Sequence, residues 1–167
     1  MKSTFSNVAL LAVVACLSQF GSDIYTPSIP AIATSLQTSL SLVQFSLAIY
    51  MIGVAIAQLV SGPISEGYGR RYPLIIGLVL MFVGGMICVG AHSITALLIG
   101  RFIQGLGGGV ISALWRSIVR DQFHGKEMTR YVSYLTIIAV FIIPSAPLIG
   151  GYLQHALTWR ASFAFLL

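Results

Sequence analysis

Charge is missing from most of this chain. No Asp, Glu, Lys or Arg occurs from Ser3 to Ser22, Ile24 to Ser65, Tyr72 to Gly100, Phe102 to Trp115, or Tyr131 to Trp159. A water-soluble domain of ordinary composition carries about 25% charged residues. Here the figure is 8% over 167 residues, and 57% are apolar, too little polarity to coat a globule in water. Lipid is the solvent that such stretches suit, and a hydrocarbon core takes roughly 20 apolar residues per helix. The length then allows five or six spans and no large soluble domain.

The gaps and their punctuation predict an all-α, multi-pass membrane bundle. Helices are expected at about 6–26, 42–63, 74–91, 95–118 and 131–153, with a sixth from about 158. Pro27 and Pro30 are expected to end the first, and Gly67 and Gly69 to make a tight turn after the second. Pro144 and Pro147 fall inside the fifth, which suits a helix facing other helices. The apolar run Ala161–Leu167 is about a third of a span, so the reading is a single unit, 1–167, that stops within its sixth helix.

The net charge of +5 reads as topology once the basic residues are placed. Lys2 precedes the first span. Arg70 and Arg71 fill the second link, and Arg116, Arg120, Lys126 and Arg130 fill the fourth. The alternate links, Thr26–Ser41 and Ala91–Ile94, have no Lys or Arg. This is the positive-inside pattern, and it predicts a cytoplasmic N-terminus. It also removes any nucleic-acid reading of the positive charge. Cys16 and Cys88 lie in apolar runs, which suits packed free thiols.

Two charges fall inside spans, Asp23 and Arg101. A charge near the bilayer centre costs about 2.5–3.5 kcal/mol, so neither is expected to face lipid. At 1.5 Å per residue, Asp23 stands ~6 Å and Arg101 ~9 Å below the outer helix ends, close enough to share a level. One reading is an ionisable pair at a proton or substrate site. The other is a helix-end carboxylate in a wet vestibule and an arginine bonded to backbone carbonyls. Gln44, Ala48, Met51, Ala55 and Gln58 recur at helical spacing, a face that suits either a cavity wall or helix packing. Gly105 and Gly109, and Ala146 and Gly150, are small pairs four apart that permit close helix contact. His92, His124 and His155 lie in three different links, so no metal site is expected, and no catalytic constellation stands out.

Several stretches together resemble the major facilitator superfamily, and within it the drug:proton antiporters of the bicyclomycin and chloramphenicol-resistance type. Gly62-Pro63-Ile64-Ser65-Glu66-Gly67-Tyr68-Gly69-Arg70-Arg71 resembles the motif between the second and third helices, with Glu66 where Asp is usual. Ser22-Asp23-Ile24-Tyr25-Thr26-Pro27-Ser28-Ile29-Pro30 is similar to the first-helix motif of twelve-helix exporters. Arg101-Phe102-Ile103-Gln104-Gly105-Leu106-Gly107 resembles the fourth-helix motif. Ala146-Pro147-Leu148-Ile149-Gly150-Gly151 resembles the fifth-helix antiporter motif.

The resemblance implies the N-terminal half of a fold in which two six-helix bundles rock about a central cavity. It implies proton coupling at Arg101 and a pathway lined by Asp23. Gly62, Glu66, Gly69, Arg70 and Arg71 would hold a cytoplasmic gate, and Pro147, Gly150 and Gly151 would shape the fifth helix where the halves meet. The implied protein expels lipophilic, often cationic compounds from a bacterial inner membrane, with protons as coupling ion, no cofactor, and a C-terminal half as partner. Two other readings share these features: an exporter of a sugar, nucleoside or amino acid, and a non-transporting remnant or partner subunit.

Overall fold

The computed structural model describes residues 13, 16–123 and 125–167, and all of its regular structure is helical. The segment before residue 13, with Lys2 and the start of the first expected helix, lies outside the described residues, as does His124. Helix α1 covers residues 16–23. It is followed by a 3-10 turn, Thr26–Ser28, then α2 (Ile29–Ser35), α3 (Leu40–Tyr68), α4 (Arg71–Val89), α5 (Ile94–Gln122), α6 (Gly125–Ala156) and α7 (Trp159–Ala164). Among the described residues, α3, α4 and α5 are long and apolar enough to cross a membrane.

The prolines do not act as the sequence reading expects. Pro27 and Pro30 each stand in the first turn of a helical piece rather than past the end of one. A first-turn residue has no intrahelical use for its N–H, so proline fits there without loss. The expected open link from Thr26 to Ser41 is therefore mostly helical. Pro63 lies inside α3, which runs on to Tyr68 rather than ending near residue 63. The stop is Gly69, whose φ of 81° lies where a side chain would be strained. Gly67 is still helical, so the turn is shorter than expected.

Serine marks two helix starts. Ser39 accepts from the Leu42 amide and Ser93 from the Ala96 amide, each satisfying one N–H that a helix start leaves free. The far end of α4 is closed by an arginine from another helix. Arg160 donates from Nε to the Val89 carbonyl at 3.0 Å and from Nη2 to that of Ala91 at 2.8 Å. Its guanidinium lies 4.2 Å from the Trp159 ring centroid. A cation on the carbonyl end of a helix is favoured by the helix dipole. This gives Arg160, in the first turn of α7, its structural role.

Helix α5 is the centre of the bundle, and glycine makes it so. A side chain at Gly105 would collide with the Tyr50 carbonyl, and one at Gly109 with the Val54 carbonyl at 2.5 Å, so α3 lies against this face. On the next face, Gly107 meets Met81 and Gly77 of α4, and the Gly84 backbone meets Gln104. The third face holds α1, where Ser18 Oγ donates to the Gly108 carbonyl at 2.9 Å. Lipid tails are as apolar as leucine, so helices in a membrane associate mainly by close packing and interhelical hydrogen bonds. Cys88 is buried against Gly100, and both cysteines are free.

The outward surface of α3 and α4 is apolar. Leu59, Ile76, Val79 and Val60 on α3 and α4 are all more than half exposed. Contiguous apolar surface of this kind is rare on soluble monomers. Gly105→Ala is expected to destabilise the bundle by roughly 1–3 kcal/mol, because the methyl meets backbone that cannot step aside. Gly67→Ala has open space around it and is expected to be neutral or to gain roughly 0.5–1 kcal/mol. Thermal unfolding in detergent, read by loss of helical signal, compares the two.

Candidate functional site

Arg101 sits two turns into α5 with no exposed surface, among the largest fully buried side chains of the described residues. The bundle builds a box around it. The rings of Tyr25 and Tyr50 lie against it, each with its centroid 4.3 Å from Cζ, and Phe163 of α7 stands 5.8 Å away. Cation–π contact of this kind is strongest where water is excluded. Both tyrosines are held from behind. Tyr25 Oη lies 2.9 Å from Ser46 Oγ of α3, and Tyr50 Oη donates to the Ser18 carbonyl at 2.7 Å. Arg101 Nη1 donates to the Gly21 carbonyl at 2.6 Å and to Gln104 Oε1 at 2.7 Å.

Asp23 lies between the two α1-side contacts of Arg101, yet the two charges form no ion pair. The Asp23 carboxylate accepts from Ser22 Oγ at 2.8 Å and from Gln19 Nε2 at 3.2 Å. The guanidinium sits on a backbone carbonyl, and the carboxylate stands at a partly exposed helix end. The reason is local. The Gly21 carbonyl has no intrahelical partner where α1 gives way to the turn, and the guanidinium satisfies it.

The glutamine-bearing face of α3 is also sorted. Gln44, Ala48, Met51, Ala55 and Gln58 are all exposed, while α3 packs on α5 through Tyr50, Gly53, Val54 and Ala57. That face is therefore turned away from the α3–α5 contact. Only Gln58 reaches across, donating to Ser112 Oγ at 2.8 Å.

At the other end, the residues around the Gly69 turn form a small polar chain. Ser65 Oγ donates to the Gly62 carbonyl at 2.8 Å and accepts from Arg70 Nη1. Arg70 Nε donates to Asp121 Oδ2 at 2.8 Å, tying the α3–α4 turn to the end of α5. Glu66 and Arg71 are exposed and make no ion pair among the described residues. On α6, Gly150 lies so close to the Ile24 carbonyl that no side chain fits, and Gly151 faces Pro27. Pro147 is half-buried beside the fully buried Ala146. The small residues of α6 thus admit it to the kinked segment that follows Asp23. Among the described residues there is no cluster of His, Cys, Asp and Glu that could hold a metal.

Sequence reasoning missed Tyr25, Tyr50 and Gln104 as the walls around Arg101, and Asp121 as the partner of Arg70. Gln104 was findable, three residues after Arg101 and so on the same helix face. Nothing in sequence distinguishes Tyr50 from any other aromatic of an apolar span.

These features define a multi-pass α-helical membrane bundle built round one buried cation. The chain belongs to the major facilitator superfamily, whose family model matches residues 11–167. It is 39% identical over 99% of its length to the uncharacterized MFS-type transporter YdgK of Bacillus subtilis, covering 42% of that protein. It is 30% identical over 97% of its length to a bicyclomycin resistance protein homolog of Haemophilus influenzae, covering 41% of it. To multidrug resistance protein D of Escherichia coli it is 31% identical over 95% of its length, covering 40%. The chain spans about two fifths of the length of these curated relatives.

The Arg70–Asp121 pair is part exposed, with 23% and 48% of the two side chains accessible. Its coupling in a double-mutant cycle of Arg70→Ala and Asp121→Ala is accordingly expected to be small, about 0.2–1 kcal/mol, and to shrink in high salt. Thermal unfolding of the four proteins at low and high ionic strength measures it.

Proposed function

We propose that this chain is the first bundle of a bacterial inner-membrane exporter that expels lipophilic, often cationic compounds in exchange for protons. Its partner is a second, C-terminal bundle, against which a shared cavity opens and closes. The N-terminus lies in the cytoplasm, since the basic links then stay inside. The names of two relatives, a bicyclomycin resistance homolog and a multidrug resistance protein, support drugs as the substrate class. A family of transporters and a sequence without a catalytic set both argue against an enzyme.

One observation carries the coupling role. Arg101 is a fully buried permanent cation with no ionic partner among the described residues. Such a group is costly, and a leucine would pack the same space more cheaply. Asp23 is the one carboxylate side chain outside the second and fourth links, which hold Glu66, Asp121 and Glu127. A nearby cation favours the ionised carboxylate and desolvation favours the neutral one. A rocking motion that alters either loads or releases a proton at Asp23. The chain around Arg70 serves as the cytoplasmic gate, with Gly62, Glu66, Gly69 and Arg71 in the same turn. Pro147, Gly150 and Gly151 let α6 bend where the halves meet. Protons are the coupling ion and no cofactor is required.

In the full-length protein, Arg101→Ala is expected to abolish efflux driven by a proton gradient in vesicles, with insertion intact. Asp23→Asn is expected to make residual transport indifferent to pH. Wild-type rates and an unchanged pH profile in both variants would refute the coupling role.

A further inference from the structure

Arg101 uses only one edge of its guanidinium. Nη1 is engaged with the Gly21 carbonyl and Gln104 Oε1. Nε and Nη2 form the opposite edge, two parallel donors of the geometry that receives an oxygen side-on. No described residue accepts from either, and none accepts from Gln104 Nε2. Both side chains have zero exposure. The amide orientation is dictated by the network. Gln104 must turn its oxygen to Nη1, because its NH2 group there would set donor against donor. The unpaired atoms are therefore all donors, gathered on two residues one helical turn apart.

The shape of the box limits what they bind. The Tyr25 and Tyr50 rings each approach the guanidinium to 4.3 Å and the side chain has no exposed surface, so an occupant must be small. We propose that the Nε–Nη2 edge of Arg101, with Gln104 Nε2, is a binding site for internal water. Its oxygen accepts from these donors, which are buried and otherwise without an acceptor among the described residues. This deepens the coupling reading and rests on it for its functional meaning. An arginine keeps its proton throughout the physiological range, so a proton crossing this level needs another carrier. A water on that edge satisfies the free donors and holds Arg101 as a fixed cation, which leaves the proton to Asp23.

Radiolytic hydroxyl labelling tests the site, since radicals formed from bound water modify rings that bulk solvent cannot reach. With the chain in lipid nanodiscs, Tyr25 and Tyr50 are expected to label despite their burial. In Gln104→Leu, which removes the amide donor, labelling should fall at least threefold. Gln104→Glu guards against misfolding of that variant. It turns the donor into a carboxylate that pairs with Arg101, and should lower labelling while raising the unfolding temperature. Rings as unreactive in the wild type as in both variants would overturn the proposal. So would rings that label only in Asp23→Asn, which would assign the edge to the Asp23 carboxylate instead. The readout needs no transport: labelled rings in a protein whose efflux ignores pH support the water site and refute the coupling.

Discussion

The rest of this structure depends on backbone touching backbone along α5. Inside a bilayer the usual reason for apolar groups to gather is weak, since lipid tails receive them as readily as another helix does. What remains is dispersion between closely packed atoms, which falls away within an ångström of separation. Gly105, Gly107, Gly108 and Gly109 put four positions without side chains on successive faces of one helix. They bring α3, α4 and α1 in contact with it in turn. The tight approach of Gly150 to the Ile24 carbonyl does the same for α6 on the other side of residues 24–27.

That packing also makes the arginine tolerable. A cation in an apolar bundle needs its charge spread and its donors received. Because α3 lies close on α5, the Tyr50 ring reaches the Arg101 guanidinium. Because α1 ends at Asp23, the Gly21 carbonyl becomes free for Nη1 and Tyr25 comes up to the guanidinium as well. The box thus draws on three helices, with Phe163 of α7 as a fourth contributor. Its construction is an outcome of glycine placement several residues away. The polar chain at the Gly69 end is different in kind, being partly exposed and limited to short-range contacts between a turn and a helix end.

Much of the architecture was legible. Long charge-free runs leave lipid as the one suitable solvent, and in lipid only a helix satisfies its own backbone. The glycine pairs on α5 and α6 were legible as packing for the same reason. The prolines were less so. Pro27, Pro30 and Pro63 lie within helical pieces, because a proline at a first turn costs nothing and one inside a membrane helix finds other partners. The face of α3 that carries Gln44 and Gln58 was ambiguous, since small and amide residues suit a cavity wall and a helix contact alike.

By itself, then, the sequence determined the solvent, the helical class, the spacing of the basic links and the buried status of Arg101. Each follows from the free energy of moving one residue type between water and hydrocarbon, which needs no knowledge of neighbours. Only the tertiary structure decided who surrounds that arginine. It set Tyr25, Tyr50 and Gln104 around the guanidinium and left Asp23 with Ser22 and Gln19. It also chose Asp121 for Arg70. Those pairings depend on the rotation of each helix about its own axis, which is fixed by close contact between helices far apart in the chain.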